Sequence, residues 1–389
     1  MRIPEITGLY YITHIENIPS ILQRGILAHE KIIEEGVEYT PIYDEQIVNN
    51  RREKQTPDGH SLWHFANLYF QPRNPMLYRV VHEKDVRQIA IVSVQPNVLD
   101  RLDIFITTGN AAHSQTEIMP AGVGRKELRR ITKDTLMVDF WYEEDGSKRR
   151  IMAECLVPEL ILPEKIQNIY VVSHEIKANL ESMIHGKSVP IVPDPKMFFR
   201  PTWASGLTPK LFLAQDDMFF ARLHTLTISV NTVGVMGRGL ASRAKYFSPD
   251  LYVHYQDLCR SRKLRMGRPV LYKRETSLDY QLADDPKTLS NGNSETWFLL
   301  FPTKRHWRER SDIKGIEEGL QWIIENYKNE GIKSLALPAL GCGLGRLDWK
   351  DVGPIMCRYL KTLDIQVVIY LPAEREIKKE LLTQDFLLS

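Results

Sequence analysis

The sequence predicts two domains of different class in tandem: an α+β domain, then a three-layer α/β/α domain. Three observations predict this. The chain has 389 residues, more than one domain usually holds. In the first half strand-like runs outnumber helical ones, whereas in the second half strands and helices alternate. Between them, residues 187–215 carry five prolines; proline removes a donor and fixes φ, so the stretch reads as an extended linker. The expected division is 1–200, a Pro-rich linker at 201–214, and 215–389.

In the first half, LYYITH at 9–14 reads as a strand. ENIPSILQRGIL follows, with Ile18, Ile21 and Leu22 at helical spacing and Gly25 as the stop. Residues 31–60 are polar and hold the doublet Arg51-Arg52. The block 61–80, SLWHFANLYFQPRNPMLYRV, is strand-like by its aromatic and β-branched content, and so are IAIVSV (89–94), RRIMAECLVP (149–158) and IQNIYVVS (166–173). A polar stretch rich in Gly, Thr and Ser runs from 107 to 126.

In the second half, LHTLTISVN (223–231) is a buried strand that runs into VGVMGRGLASRAKYF, a Gly-rich turn and a helix. TWFLLFPT (296–303) is a strand and IEEGLQWIIENYKN (316–329) an amphipathic helix. KSLALPAL (333–340) is a strand leading into GCGLGRLDW, and QVVIYLP (366–372) is the last strand.

Composition narrows the function classes. Apolar residues make up 43% and charged residues 26%, a globular balance that excludes disorder and fibres. No apolar run approaches the ~20 residues of a membrane helix, and the N-terminus lacks an apolar signal core. Cys155, Cys259, Cys342 and Cys357 form no CxxC pair; they read as reduced thiols in a cytoplasmic protein, with no metal site. Residues 1–200 hold 24 Lys+Arg against 27 Asp+Glu, and residues 201–389 hold 27 against 22. Any nucleic acid must therefore bind in a local groove, not through a global field.

Two apolar strands each end in a glycine-rich loop, Val230-Asn231-Thr232-Val233-Gly234-Val235-Met236-Gly237-Arg238-Gly239 and Leu340-Gly341-Cys342-Gly343-Leu344-Gly345. Ligands of α/β sheets sit at the carboxyl ends of strands, and glycine lets backbone N–H groups approach phosphate oxygens. Neither loop fits GxxxxGK[ST] or GxGxxG. With FPTKRHWRERS and YLP in the same order, these segments resemble the DarG antitoxin branch of the macrodomain family over about 215–375. The resemblance implies an ADP-ribose site in which Asn231 contacts the distal ribose. Gly234, Val235, Met236, Gly237 and Gly239 would cradle the diphosphate together with Gly341, Cys342, Gly343, Leu344 and Gly345. It further implies that Lys304 removes ADP-ribose from DNA bases. An amine beside C1″ can trap the ring-opened aldehyde or stabilise the departing base; the plain alternative is a solvated or phosphate-facing lysine beside Arg305 and Arg308. Trp307 and Trp349 either stack on a base or pack.

In the first half three features stand out: His14 at the end of the first strand, the Arg51-Arg52 doublet, and Glu154 between apolar neighbours, where a carboxylate is costly to bury unless paired or functional. The segments LYYITHIENIPSILQRGIL, NLYFQPRNPMLY and RRIMAECLVP…IQNIYV resemble the DarT family of DNA ADP-ribosyltransferase toxins over about 5–180. The resemblance implies a split β-sheet around NAD, which is a substrate. His14 would hold the adenosine ribose or nicotinamide side with Thr13 and Asn17, Tyr69 or a neighbouring aromatic would stack on nicotinamide, Glu154 would be catalytic, and a catalytic arginine would be Arg51 or Arg52. The 107–126 loop would face the DNA. Thymine-modifying relatives read HDYVPFYF…SPM where this chain has Trp63-His64-Phe65-Ala66-Asn67-Leu68-Tyr69-Phe70 and Arg73-Asn74-Pro75-Met76, which leans the acceptor toward guanine over thymine.

Together the resemblances imply a toxin–antitoxin fusion that writes ADP-ribose onto single-stranded DNA and erases it, with an intramolecular contact between its halves and no membrane or metal partner. The rivals are an ADP-ribose-binding module with an inactive transferase, and an RNA-directed NAD-dependent enzyme.

Overall fold

A computed structural model describes residues 5–43, 45–138, 140–184, 189–284, 289, 292–372 and 376–389. The chain forms two compact units: residues 1–200 together with 279–291, and residues 201–278 together with 292–389.

The first unit opens with β1 (Leu9–His14), α1 (Ile18–Arg24), β2 (Ile26–Leu27), α2 (His29–Glu34) and α3 (Glu45–Arg52). It continues through β3 (Phe65–Tyr69), α4 (Pro75–Glu83), β4 (Ile89–Val94), β5 (Phe105–Thr107), β6 (Ile118–Pro120), α5 (Ala121–Thr135) and α6 (Ser147–Arg150). Then come β7 (Glu154–Pro158), β8 (Leu160–Ile161), β9 (Ile166–Val171), α7 (His174–Met183) and β10 (Ile191–Pro193). Eight strands form one sheet in the order β10-β9-β4-β1-β3-β7-β5-β6, while β2 pairs with β8 alone. The sheet is split at its centre. β1 pairs with β4 along its whole length, Leu9↔Val94 to His14↔Ile89, but meets β3 only at Tyr10↔Tyr69. Past that pair β1 and β3 part, and the opening becomes a cleft.

The second unit holds β11 (Trp203–Gly206), β12 (Leu211–Gln215), β13 (Thr225–Asn231), α8 (Gly239–Phe247), α9 (Pro249–Arg260), β14 (Val270–Tyr272), β15 (Trp297–Lys304), α11 (Ile313–Glu330), β16 (Ser334–Pro338), α12 (Trp349–Leu360), β17 (Gln366–Tyr370) and α13 (Gln384–Leu388). α10 (Leu278–Leu282) begins at the unit boundary. The seven-stranded sheet runs β11-β12-β17-β16-β13-β15-β14, parallel from β12 to β15 with antiparallel edges. Strands buried along nearly their whole length, such as β15 from Trp297 to Thr303, need cover on both faces. Phe301 and Leu299 on β15 pack in one core with Ile316 and Leu320 of α11 and with Met356 of α12.

Two sequence expectations are corrected. Residues 201–214 are not a linker: β11 and β12 form an antiparallel hairpin, and β12 joins the sheet beside β17. Pro201 precedes β11 and Pro209 lies in the turn between the two strands, so neither breaks the ladder, while Leu211 and Leu213 are buried. The block 61–80 is a strand only over Phe65–Tyr69 and a helix from Pro75. Asn74 caps that helix by accepting a hydrogen bond from the Leu77 N–H at 3.0 Å, and Pro75 suits its first turn.

Candidate functional sites

Beneath the cleft of the first unit lies an ion pair, of which Arg51 lines the cleft and Glu154 is buried behind it. Glu154, the first residue of β7, is fully buried. Its backbone N–H donates to Thr107 Oγ1 at 2.8 Å, tying β7 to the end of β5. Arg51 Nη2 donates to Glu154 Oε2 at 2.8 Å and Nη1 to Oε1 at 3.2 Å, a two-pronged pair. The Ala111 N–H donates to Oε1 at 2.9 Å. Burial opposes the charged guanidinium, but the Glu154 carboxylate outweighs it and holds the Arg51 proton above the ordinary arginine range. Burial and the same carboxylate push the Tyr69 phenol well above its ordinary value.

Arg51 and Arg52 close helix α3, so their side chains diverge by the helical step and not by strand alternation. Arg52 lies over the Trp63 ring, 5.1 Å from its centroid. Trp63 in turn meets His29 edge-on at 4.3 Å, and His60 stacks on His64 at 4.5 Å. Arg51, Tyr69, Trp63, Tyr11 and Asn110 line the cleft. Of the 107–126 stretch, Asn110 is thus in the cleft wall and Ala111 holds the carboxylate.

The other residues singled out in the first half do local work. His14 is buried and its Nδ1 accepts from the Glu16 N–H at 3.3 Å, capping a short 3-10 turn. Asn17 Nδ2 donates to Thr13 Oγ1 at 3.1 Å and to the Thr40 carbonyl at 2.8 Å, while its Oδ1 accepts from the Thr40 N–H at 2.8 Å. Asn17 therefore pins the 37–40 segment, and with Glu16, Tyr39 and Thr40 it lines a second, open groove.

In the second unit the two glycine loops leave β13 and β16. Asn231 ends β13, and its carboxamide organises the first loop: Nδ2 donates to the Val235 carbonyl at 2.7 Å, and Oδ1 accepts from the Val233 N–H at 3.0 Å and from Tyr255 Oη at 3.0 Å. Gly234 and Gly239 hold φ of 81° and 63°, values that a side chain would strain. In the second loop Gly341 has φ 74°, and a Cβ there would sit 2.7 Å from Leu347; Gly343 has open space around it. Cys342 is buried.

Lys304, the last residue of β15, pairs in register with Asn231 across a bulge. Its Nζ donates to the Leu344 carbonyl at 3.2 Å, so it joins the two loops. Burial, and then Arg346, lower its proton affinity from the ordinary lysine value. The two tryptophans separate. Trp349 is buried, donating Nε1–H to the Leu381 carbonyl at 3.0 Å. Trp307 is half exposed beneath Arg308.

Comparison with known proteins agrees with both halves. The DarT family, described as ssDNA thymidine ADP-ribosyltransferase, matches residues 10–199, and the macrodomain family matches residues 291–356. A "DNA ADP-ribosyl transferase-DNA ADP-ribosyl glycohydrolase fusion protein" of Thermosipho africanus is 54% identical over 389 residues, 99% of each chain. The solved structure of Thermosipho africanus DarTG in complex with ADP-ribose superposes with a TM-score of 0.93 over 98% of this chain and all of that one. A DNA ADP-ribosyl glycohydrolase of Thermus aquaticus is 34% identical over 165 residues, 42% of either chain. The class is therefore a DarT-type transferase domain joined to a macrodomain. The chain belongs to the family of DNA ADP-ribosyl transferase–DNA ADP-ribosyl glycohydrolase fusion proteins. No described helix is long and apolar enough to cross a membrane.

Proposed function

We propose that the first unit transfers ADP-ribose from NAD to a base of single-stranded DNA and that the second binds the mark and hydrolyses it off. The observation that carries this reading is the two-pronged pair between Arg51, which lines the cleft, and the buried Glu154. Breaking the nicotinamide–ribose bond puts positive character on the ribose, which an aligned carboxylate stabilises. The same carboxylate accepts the proton of the attacking base nitrogen. Arg51 and the Ala111 N–H fix both oxygens of Glu154, so its direction is set before substrate arrives. Tyr69 supplies a ring for nicotinamide, and Thr13, His14 and Asn17 frame the far end of β1. Arg52 on Trp63, with His29, His60 and His64 alongside, offers flat faces to unstacked bases. A single strand presents such bases without the cost of flipping them from a duplex.

For erasure, the N–H groups of Gly234–Gly239 and Gly341–Gly345 hold the diphosphate, and Asn231 shapes the first loop. Lys304 Nζ, made easier to deprotonate by burial, attacks C1″ of the marked ribose as the bond from C1″ to the base nitrogen breaks and the base leaves with a proton; the lysine adduct ring-opens to an imine, and water hydrolyses that imine to the free amine and ADP-ribose. The reaction is cytoplasmic, where NAD and reduced thiols coexist; the four cysteines are free.

The test incubates Lys304→Ala protein with NAD and oligonucleotides that differ only in one guanine or one thymine. A retarded, ADP-ribose-bearing product that needs NAD and single-stranded DNA is expected, and the base that supports it is the acceptor. Modification of RNA alone favours the RNA-directed rival, and no product at all favours a pure ADP-ribose reader.

A further inference from the structure

Residues Asp279–Asn291 lie in sequence between β14 and β15, yet they belong to the first compact unit. There, α10 and the turn after it are fixed at several points. Tyr78 Oη donates to Asp279 Oδ1 at 2.5 Å. Trp141 Nε1 donates to the Leu282 carbonyl at 3.0 Å, and Gln281 Nε2 returns to the Trp141 carbonyl at 3.1 Å. Lys148 Nζ donates to the Tyr280 carbonyl at 3.3 Å, and the Asp284 N–H to the Pro75 carbonyl at 3.3 Å. Trp141 and Tyr78 are among the largest wholly buried side chains of the protein. Bonds to α4, to α6 and to the Trp141 segment make this a fixed wall.

Asp284 belongs to that wall. Arg79 on α4 has a wholly buried side chain; its Nε donates to Asp284 Oδ1 at 2.6 Å and its Nη1 to Glu83 Oε2 at 3.2 Å. Arg79 and Asp284 both line the cleft that Arg51 and Tyr69 line. A guanidinium cut off from water keeps its place only while carboxylates hold it; without one it must turn toward another acceptor or draw water in. The carboxylate that fixes Arg79 from across the cleft wall is therefore supplied by residue 284, late in the chain.

We propose that Asp284 is a positioning residue of the transferase: it fixes Arg79 in the cleft wall, so the NAD site is complete only when the chain through residue 284 has been made and folded. The proposal rests on the transferase reading above. It gives the fusion an order of assembly. The first ADP-ribose loop, Asn231–Gly239, is synthesised before the last piece of the transferase wall. A chain that stops at residue 200 leaves Tyr78, Trp141 and Arg79 without their α10 partners. The toxin is thereby made dependent on a segment embedded in the antitoxin's sequence.

The test uses the full chain with Asp284→Ala, Asp284→Asn, Asp284→Glu and Arg79→Lys. Each is assayed for transfer at varied NAD, for NAD binding by titration calorimetry, and for removal of ADP-ribose from a modified oligonucleotide. The Ala, Asn and Lys variants are expected to raise KM and Kd for NAD at least tenfold with kcat changed less, Asp284→Glu to return to within about threefold of native, and removal to stay native in all. Native KM and Kd in Asp284→Asn, even with a lowered melting temperature, overturn the proposal by making Asp284 a stability residue only. A gain in transfer also overturns it, because Asp284 would then occupy a place that substrate needs. Should Asp284→Ala fail to fold, Asp284→Asn and Arg79→Lys decide by the same numbers. Native protein that binds NAD but modifies no DNA overturns the transferase reading, and the calorimetric comparison still judges Asp284.

Discussion

Arg51 and Glu154 are 103 residues apart in sequence and meet as a two-pronged ion pair, with the carboxylate fully buried and the guanidinium 18% exposed. Removing one partner of such a pair leaves an uncompensated buried charge, a loss of about 3–5 kcal/mol. An alanine at 154 therefore tests stability and catalysis together. The cleaner variant is Glu154→Gln, which keeps the acceptor for the Ala111 N–H. It is expected to lower kcat for transfer by about 10²–10³-fold, the usual scale for loss of a charge-stabilising group, while removal of ADP-ribose by the second unit stays native. Transfer rates on modified-oligonucleotide gels, read beside a melting curve, check it.

Arg51 and Arg52 divide their roles. Arg51→Ala is expected to abolish transfer and to lower the melting temperature, since Glu154 loses its partner. Arg52→Ala loses one cation–π contact with Trp63, worth about 0.5–1 kcal/mol at an exposed site. Its transfer is expected to fall only a few-fold, through a higher KM for DNA. Equal losses in the two would remove the distinction.

How this pair could be seen in advance says what sequence carries. Glu154 was legible because a carboxylate inside an apolar run is costly to bury unless it is paired or functional, whereas the doublet gained its role only through the resemblance to the DarT family. Which arginine it is was not legible: strand logic sends neighbours to opposite faces, whereas here the pair ends a short helix, Glu45–Arg52. The α4 helix was missed although Asn74-Pro75 is a start signal, because the aromatic and β-branched content around it outweighed the cap. The proline-rich stretch misled in the opposite sense, since Pro201 precedes the hairpin and Pro209 sits in its turn, so neither interrupts a strand. Ala111 left no trace, because its contribution is a backbone N–H. Asp284 left none either: its role depends on a chain path that leaves one unit and enters the other. In the second unit β13, β15, β16 and β17 were legible as largely apolar runs and the loops after β13 and β16 by their glycines, as were α8 and α11, whereas β11 and β12 were read as a linker and β14, α9, α12 and α13 went unread.

The glycines of the second loop are expected to differ sharply. A side chain at Gly341 would have to hold φ 74° and approach Leu347, Ser311 and Ile316 closely. The left-handed backbone alone costs a non-glycine residue about 1–2 kcal/mol. Gly341→Ala should weaken ADP-ribose binding at least tenfold by displacing the N–H groups behind it. Gly343→Ala, which meets open space, should bind within about threefold of native. Calorimetry with ADP-ribose on the two variants is the check, and matched affinities would take the second loop out of the diphosphate site.

At Lys304 chemistry and binding are expected to come apart. Its ammonium contacts the Leu344 carbonyl and no described phosphate-cradling N–H depends on it, so Lys304→Ala should bind ADP-ribose within a few-fold of native while removal from DNA slows at least 10²-fold. Transfer is unchanged, marks accumulate, and cells that tolerate the native chain should stop growing. The pH dependence follows from the lowered proton affinity. Attack on C1″ of the marked ribose needs the neutral amine, and burial followed by Arg346 raises the neutral fraction at a given pH. Removal should therefore speed up as pH rises and level off below the pH at which an ordinary lysine would. Borohydride should trap a covalent ADP-ribose adduct on native protein and none on Lys304→Ala. A removal rate that instead falls with rising pH, with no adduct trapped, would mean that the charged ammonium acts electrostatically on the departing base; a native rate in Lys304→Ala would place the erasing chemistry on another residue.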